Sequence, residues 1–121
     1  MRSVRPVIIV DDDEDTRDVL EELLSAEGFH IVTARNGFEA IQKADAAPEP
    51  CAIILDGRMP LMSGIEFLNY REKSDKMSRI PVIFVSGDAD AIRAVSEKGA
   101  IAFRKPYPID ALIERVREHC A

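Results

Sequence analysis

Four short stretches of the chain carry groups suited to one kind of chemistry: the carboxylates of Asp11 and Asp12, the carboxylate of Asp56, the hydroxyl of Ser86 and the ammonium of Lys105. Three carboxylates brought to one place repel, which raises the pKa of at least one of them unless a cation sits among them. Mg²⁺ is the cation that fits, because it takes octahedral oxygen ligation from one or two carboxylates, waters and a phosphate oxygen. With charge offset in this way, a carboxylate can attack phosphorus and form an acyl phosphate. A lysine supplies a point charge to a phosphoryl oxygen and a serine supplies a hydroxyl donor.

Each of these groups follows a short run rich in Val and Ile, and those runs read as strands: Val7 to Val10, His30 to Ala34, Ala52 to Leu55, Val82 to Val85 and Ile101 to Arg104. Runs so continuously apolar are expected in a parallel sheet covered on both faces. Between them lie stretches of helical period. Val19, Leu20, Leu23 and Leu24 form a first stripe, closed by Gly28 at a C-cap position. Asn36 with Glu39, and Ser63 with Glu66, predict capping boxes for the second and third helices. A fourth, weaker helix is expected over about Ala89 to Lys98. A fifth follows Pro108 with Ile109, Leu112, Ile113 and Val116 on one face. Five strand–helix units predict an α/β, doubly wound parallel sheet, whose ligand site lies beyond the carboxyl ends of the strands. All five groups sit there. Asp13, Glu14 and Asp15 fall at the first helix start, where negative charge is favoured and a short side chain can cap free amides.

With 121 residues, 46% hydrophobic and 31% charged, the chain has the size and profile of one globular domain, and a single domain over residues 1–121 is expected. A net charge of −6 argues against direct contact with nucleic acid, whose phosphates attract clustered Lys and Arg. Arg2 and Arg5 precede an apolar run that ends at Val10 against acid, too short for a leader or a membrane span. Cys51 and Cys120 stand in no metal-like spacing. Reduced thiols in a cytoplasmic protein are expected, with neither a disulfide nor a zinc site.

Taken in order, Asp11-Asp12, the block LDGRMP from Leu55 to Pro60, VSGD from Val85 to Asp88, and Lys105-Pro106 resemble the receiver domain of two-component response regulators, and the resemblance covers the whole chain. It implies a flavodoxin-like sheet of strand order 2-1-3-4-5 with five helices. It also implies Asp56 as phosphoacceptor, Asp12 as a direct Mg²⁺ ligand, Asp11 acting mainly through a water shared with the metal, and the Arg58 carbonyl completing the protein's ligands, with Mn²⁺ a possible substitute. Ser86 and Lys105 then engage the phosphoryl group, and the Lys105-Pro106 bond is a candidate cis peptide, although an X-Pro bond is more often trans. The implied donor is a phosphohistidine on a histidine kinase or histidine phosphotransfer protein. The output is a changed contact with a downstream protein, by a monomer or weak homodimer. The last helix runs to the final residue, so output through protein contact is expected rather than through an attached domain.

Other readings compete. A single Asp at a strand end is usually a turn former, but five suitable groups at one sheet edge are not accounted for in that way. Asp11, Asp13, Asp15 and Glu22 have the spacing of a calcium loop, yet Thr16 stands where the sharp turn needs Gly. A phosphatase of the haloacid dehalogenase type needs D-x-D-x-T; counting from Asp12 gives Glu14 in place of the second Asp, and counting from Asp11 gives Asp15 in place of Thr. A flavodoxin would need a phosphate cradle where this chain has acid. A receiver used only for docking has no need of the intact site residues. Two positions depart from or elaborate the receiver pattern. The aromatic usual three residues before the lysine is Ala102 here, and Phe103 should point to the opposite face of the strand, so the switch contact is expected to be altered. Arg58 and Asp88 lie two residues beyond Asp56 and Ser86 and are candidates for a charged gate that hinders attacking water.

Overall fold

The computed structural model describes residues 5–46, 48–57 and 62–120. Five strands, β1 (Val7–Val10), β2 (Ile31–Ala34), β3 (Ala52–Asp56), β4 (Val82–Ser86) and β5 (Ile101–Arg104), form one parallel sheet of order β2-β1-β3-β4-β5. The helices are α1 (Glu14–Ala26), α2 (Gly37–Asp45), α3 (Gly64–Lys73), α4 (Ala89–Glu97) and α5 (Ile109–Cys120), with a short 3₁₀ turn at Met77–Arg79. The fold is therefore the doubly wound sheet expected. Small differences fall at the ends: His30 lies outside β2, α4 stops at Glu97, and β3 and β4 each run one residue further, to Asp56 and Ser86.

Side chains alternate across a strand, and this alternation builds two cores. Ile8, Val10, Ile53, Leu55 and Phe84 face one layer with Ala40 and Ala44 of α2, Phe67 and Leu68 of α3 and Val95 of α4. Val7, Ile9, Ile54, Ile83 and Val85 face the other, with Leu20 and Leu24 of α1 and Leu112 and Val116 of α5. The central strands β1, β3 and β4 are buried throughout, whereas the edge strands β2 and β5 are mostly half-buried. Truncating a fully buried member such as Leu112 to Ala would cost about 2–5 kcal/mol. No helix among the described residues is long and apolar enough to cross a membrane.

The helix ends follow local chemistry, with two corrections. Gly28, at φ 94°, closes α1 by donating to the Ser25 carbonyl while Phe29 donates to Leu24, so the carbonyls of the last turn are satisfied. Ser63 and Glu66 make the full capping box. At α2, Asn36 accepts from the Glu39 amide, but the Glu39 carboxylate turns to the Arg35 amide and guanidinium, so the expected box is only half made. Asp13 stands at the N-cap of α1 without capping an amide; its side chain accepts the Thr16 hydroxyl, which lowers its pKa.

The expectation of reduced thiols is overturned. Cys51 and Cys120 form a disulfide that ties the entry of β3 to the last turn of α5, with their Cα atoms 5.4 Å apart. The two cysteines are 69 residues apart in sequence, and it is the packing of α5 beneath β3 that makes them neighbours.

Candidate functional site

The sheet's own ladder places the site. Val10 pairs with Leu55, Asp56 with Val85, and Ser86 with Arg104, so the residues just beyond or at these ends share one edge. Backbone bonds extend the register past the strands: Asp11 donates to the Ala34 carbonyl at 3.1 Å, Gly57 to Val85 at 2.9 Å and Lys105 to Ser86 at 2.8 Å. Groups from β1, β3, β4 and β5 thereby occupy one corner.

In that corner Asp11, Asp12 and Asp56 each offer a carboxylate oxygen within 4.8 Å of the others. Asp11 and Asp56 are buried and Asp12 is exposed. The Asp11 carboxyl is pushed up to about 6, first by burial, then by the negative charge of Asp56 and the hydrogen bond shared with it. The donation from the Asp13 amide to Asp11 Oδ1, 2.9 Å, opposes this, as does the Lys105 charge. Like-charge repulsion contributes, but loss of water is the larger cause. Three converging oxygens, one on a carboxyl whose ionisation is opposed by burial and by the neighbouring carboxylate, form a donor set suited to a hard divalent cation such as Mg²⁺.

Lys105 Nζ lies 3.5 Å from Asp56 Oδ1, and the Lys105-Pro106 peptide is cis. The buried Ser86 Oγ accepts from the Asp88 amide at 3.0 Å, which leaves its hydroxyl proton available to a ligand. Asp88 is the N-cap of α4, and its carboxylate accepts from the Asp90 amide at 2.9 Å. Arg58, assigned a metal-ligating carbonyl and one side of the charged gate, lies outside the described residues. Ala102 and Phe103 fall on opposite faces of β5: Ala102 packs against the core layer that Ala91 and Ile92 of α4 also cover, Phe103 against the α1–α5 layer.

Several supporting residues escaped the sequence reading. Arg17, one turn into α1, donates to the Asp11 carbonyl at 2.7 Å and holds the turn that carries Asp11 and Asp12. Gly57 and Gly64 lie against the Phe84 ring; a Cβ at Gly57 would stand 2.7 Å from Phe84 Cζ and one at Gly64 2.5 Å from Cε2. Phe84 therefore leaves no room for a side chain at position 57 or position 64. Tyr107 is half-buried beside the pocket, and burial, followed by the charges of Asp11 and Asp56, raises its phenol pKa. The glycines carried a weak signal in the DG pair after β3; Arg17 and Tyr107 carried none without the fold.

Known proteins are similar to this chain in sequence and in fold. The chain is 32% identical over 114 residues to the sporulation initiation phosphotransferase F of Bacillus subtilis, an alignment covering 93% of this chain and 91% of that one. Several other curated relatives are longer, and the chain spans about a quarter to about a half of those. A response regulator receiver protein from Pseudomonas putida has a TM-score of 0.86 and 30% identity, covering 96% of this chain and 98% of its own. The response regulator TrrA from Thermotoga maritima, solved in complex with Mg²⁺ and beryllofluoride, has a TM-score of 0.82 and 30% identity over 94% of this chain and 97% of its own. The family model of the response regulator receiver domain matches residues 7–117. That span contains the whole sheet, the acidic corner and Lys105, and the chain belongs to the response regulator receiver domain family.

Proposed function

We propose that the chain is a phosphorylation-dependent signalling switch, a single receiver unit over residues 1–121 that takes a phosphoryl group onto Asp56 from a phosphohistidine on a histidine kinase or phosphotransfer protein. The observation that carries this is the placement of the Asp56 carboxylate, buried at the end of β3, with two further carboxylates within 4.8 Å and Lys105 Nζ at 3.5 Å. Asp11, Asp12 and Asp56 would hold Mg²⁺, or Mn²⁺ in its place. Bound there, the ion supplies positive charge that offsets repulsion between the carboxylates and an incoming phosphoryl group.

The chain's own residues do the rest. An Asp56 oxygen forms the new bond to phosphorus as the bond from phosphorus to the imidazole nitrogen breaks, and the imidazole leaves with that electron pair and takes up a proton. The product is an acyl phosphate on Asp56. Lys105 exchanges its contact with the Asp56 carboxylate for a phosphoryl oxygen, and Ser86 donates its hydroxyl to another. Attack of water on phosphorus later restores the carboxylate and releases phosphate. Between these events the populations of two conformations shift, and with them the affinity for a downstream protein. The protein acts as a monomer or weak homodimer.

Incubating the chain and its Asp56→Asn variant with a radiolabelled phosphohistidine phosphotransfer protein tests this. Label should pass to the wild type in Mg²⁺, and fail to pass in EDTA or to the variant. Label on Asp56→Asn, or rapid release of phosphate from small phosphoesters, would point instead to a phosphatase. No transfer, with no effect of EDTA, would point to a docking module.

A further inference from the structure

In place of an aromatic residue on the α4 side of β5, this chain has Ala102, which packs, as Ala91 and Ile92 of α4 do, against the core layer of Phe84 and Val95. A methyl has no rotamer to change, so movement at Ser86 and Lys105 has no large side chain to displace there. The aromatic bulk lies on the other side. Phe103 pairs with Val85 in the ladder and its ring contacts that of Tyr107, centroids 5.8 Å apart and planes inclined at 48°. Lys105 lies midway between these two residues in the chain, with its amide on Ser86 and its ammonium on Asp56. The ring contact therefore closes a five-residue span around the lysine. Tyr107 also faces two ways. It stands within the field of the Asp11 and Asp56 carboxylates, and it lines a groove of about 390 Å³ between α1 and α5 with Val19, Leu23 and Ile109. Val19 and Leu23 belong to the apolar stripe of α1, yet they remain 56% and 39% exposed along this groove.

Building on the phosphoacceptor role given to Asp56, we propose that Phe103 and Tyr107 are positioning residues: their ring contact sets the place of Lys105 and carries its displacement to the α1–α5 groove, so that this face, and not the α4 face, changes when Asp56 is phosphorylated. When Lys105 moves from the carboxylate to a phosphoryl oxygen, residues 104–106 move with it. The rings at either end of that span are the bulky groups able to follow.

NMR on the full chain with Mg²⁺ and beryllofluoride, a mimic of the phosphoryl group, tests the proposal. Bound ¹⁹F signals report occupancy of the site. On binding, the Tyr107 ring and the Val19 and Leu23 methyls should shift, more than the Ala91 and Ala102 methyls, with exposed Tyr70 as an unshifted reference. The Phe103→Leu variant should need more beryllofluoride to fill the site, because Lys105 is no longer held in place, and once bound ¹⁹F signals show the site filled it should lack the Tyr107 shift. Bound ¹⁹F with Ala91 and Ala102 moving and Tyr107 still would overturn the relay alone, as would a full Tyr107 shift in Phe103→Leu. Absence of bound ¹⁹F in the wild type would overturn the phosphoacceptor role, and the relay with it.

Discussion

Replacing Asp11 by Asn should stabilise the metal-free protein at neutral pH while weakening its response to Mg²⁺. The Asp11 carboxyl is buried and its pKa is pushed up from 3.8 to about 6. The folded state therefore holds this proton more tightly than the unfolded chain does. Below about pH 4 the group is protonated in both states and costs nothing. Between pH 4 and pH 6 stability falls as pH rises, and above pH 6 the full penalty of a buried charge is present. A displacement of about two pH units corresponds to ~3 kcal/mol at 1.36 kcal/mol per unit. Because Asp11 shares a hydrogen bond with Asp56, which also bears part of the repulsion, about 1–3 kcal/mol is the range to expect from Asp11→Asn. Asn keeps an oxygen to accept from the Asp13 amide, so the local turn survives. At roughly 2.1 cal/mol/K of unfolding entropy per residue, this is a gain of about 4–12 °C in Tm. Thermal unfolding in EDTA at pH 8 and at pH 4 measures it directly: a gain at pH 8 that vanishes at pH 4 is expected. Added Mg²⁺ should then raise the Tm of the wild type more than that of the variant. Equal stabilisation at both pH values, or none at pH 8, would refute the reasoning.

Other outcomes follow from the same geometry. Lys105→Ala removes the positive group 3.5 Å from Asp56 and should slow phosphoryl incorporation by about 100-fold, read by single-turnover kinetics at saturating Mg²⁺. Gly64→Ala drives a Cβ to 2.5 Å from the Phe84 ring and 3.0 Å from the Gly57 Cα, and should cost about 1–3 kcal/mol in urea unfolding; Gly64→Ala paired with Phe84→Leu should recover part of that loss. Reducing Cys51–Cys120 frees a loop whose ends are 69 residues apart and should lower stability by about 2–4 kcal/mol, seen as a lower Tm in dithiothreitol that Cys120→Ser reproduces without reductant.

The central strands were legible because each is an apolar run whose residues are needed on both faces of the sheet, and the acidic corner was legible because its members terminate those runs. What was not legible depended on packing between distant elements. Nothing in the spacing of Cys51 and Cys120 signals a bond; it exists because α5 returns beneath the entry to β3. The stripe of α1 predicted four buried residues, but α5 covers only Leu20 and Leu24 and leaves Val19 and Leu23 along the groove. Glu39 had the position for a capping box, but a neighbouring guanidinium on Arg35 competes for it. The role of Gly57 and Gly64 appears only once Phe84 is placed beneath them. The opposite orientations of Ala102 and Phe103, by contrast, followed from strand alternation alone.

The most direct measurement is to incubate the chain with acetyl phosphate and Mg²⁺ and to locate the modified residue by peptide mass spectrometry. A single phosphoryl group on Asp56, lost in EDTA and absent from Asp56→Asn, is the result predicted. Modification of Asp12 in its place, or an unmodified Asp56 in a protein that binds Mg²⁺, would contradict the account.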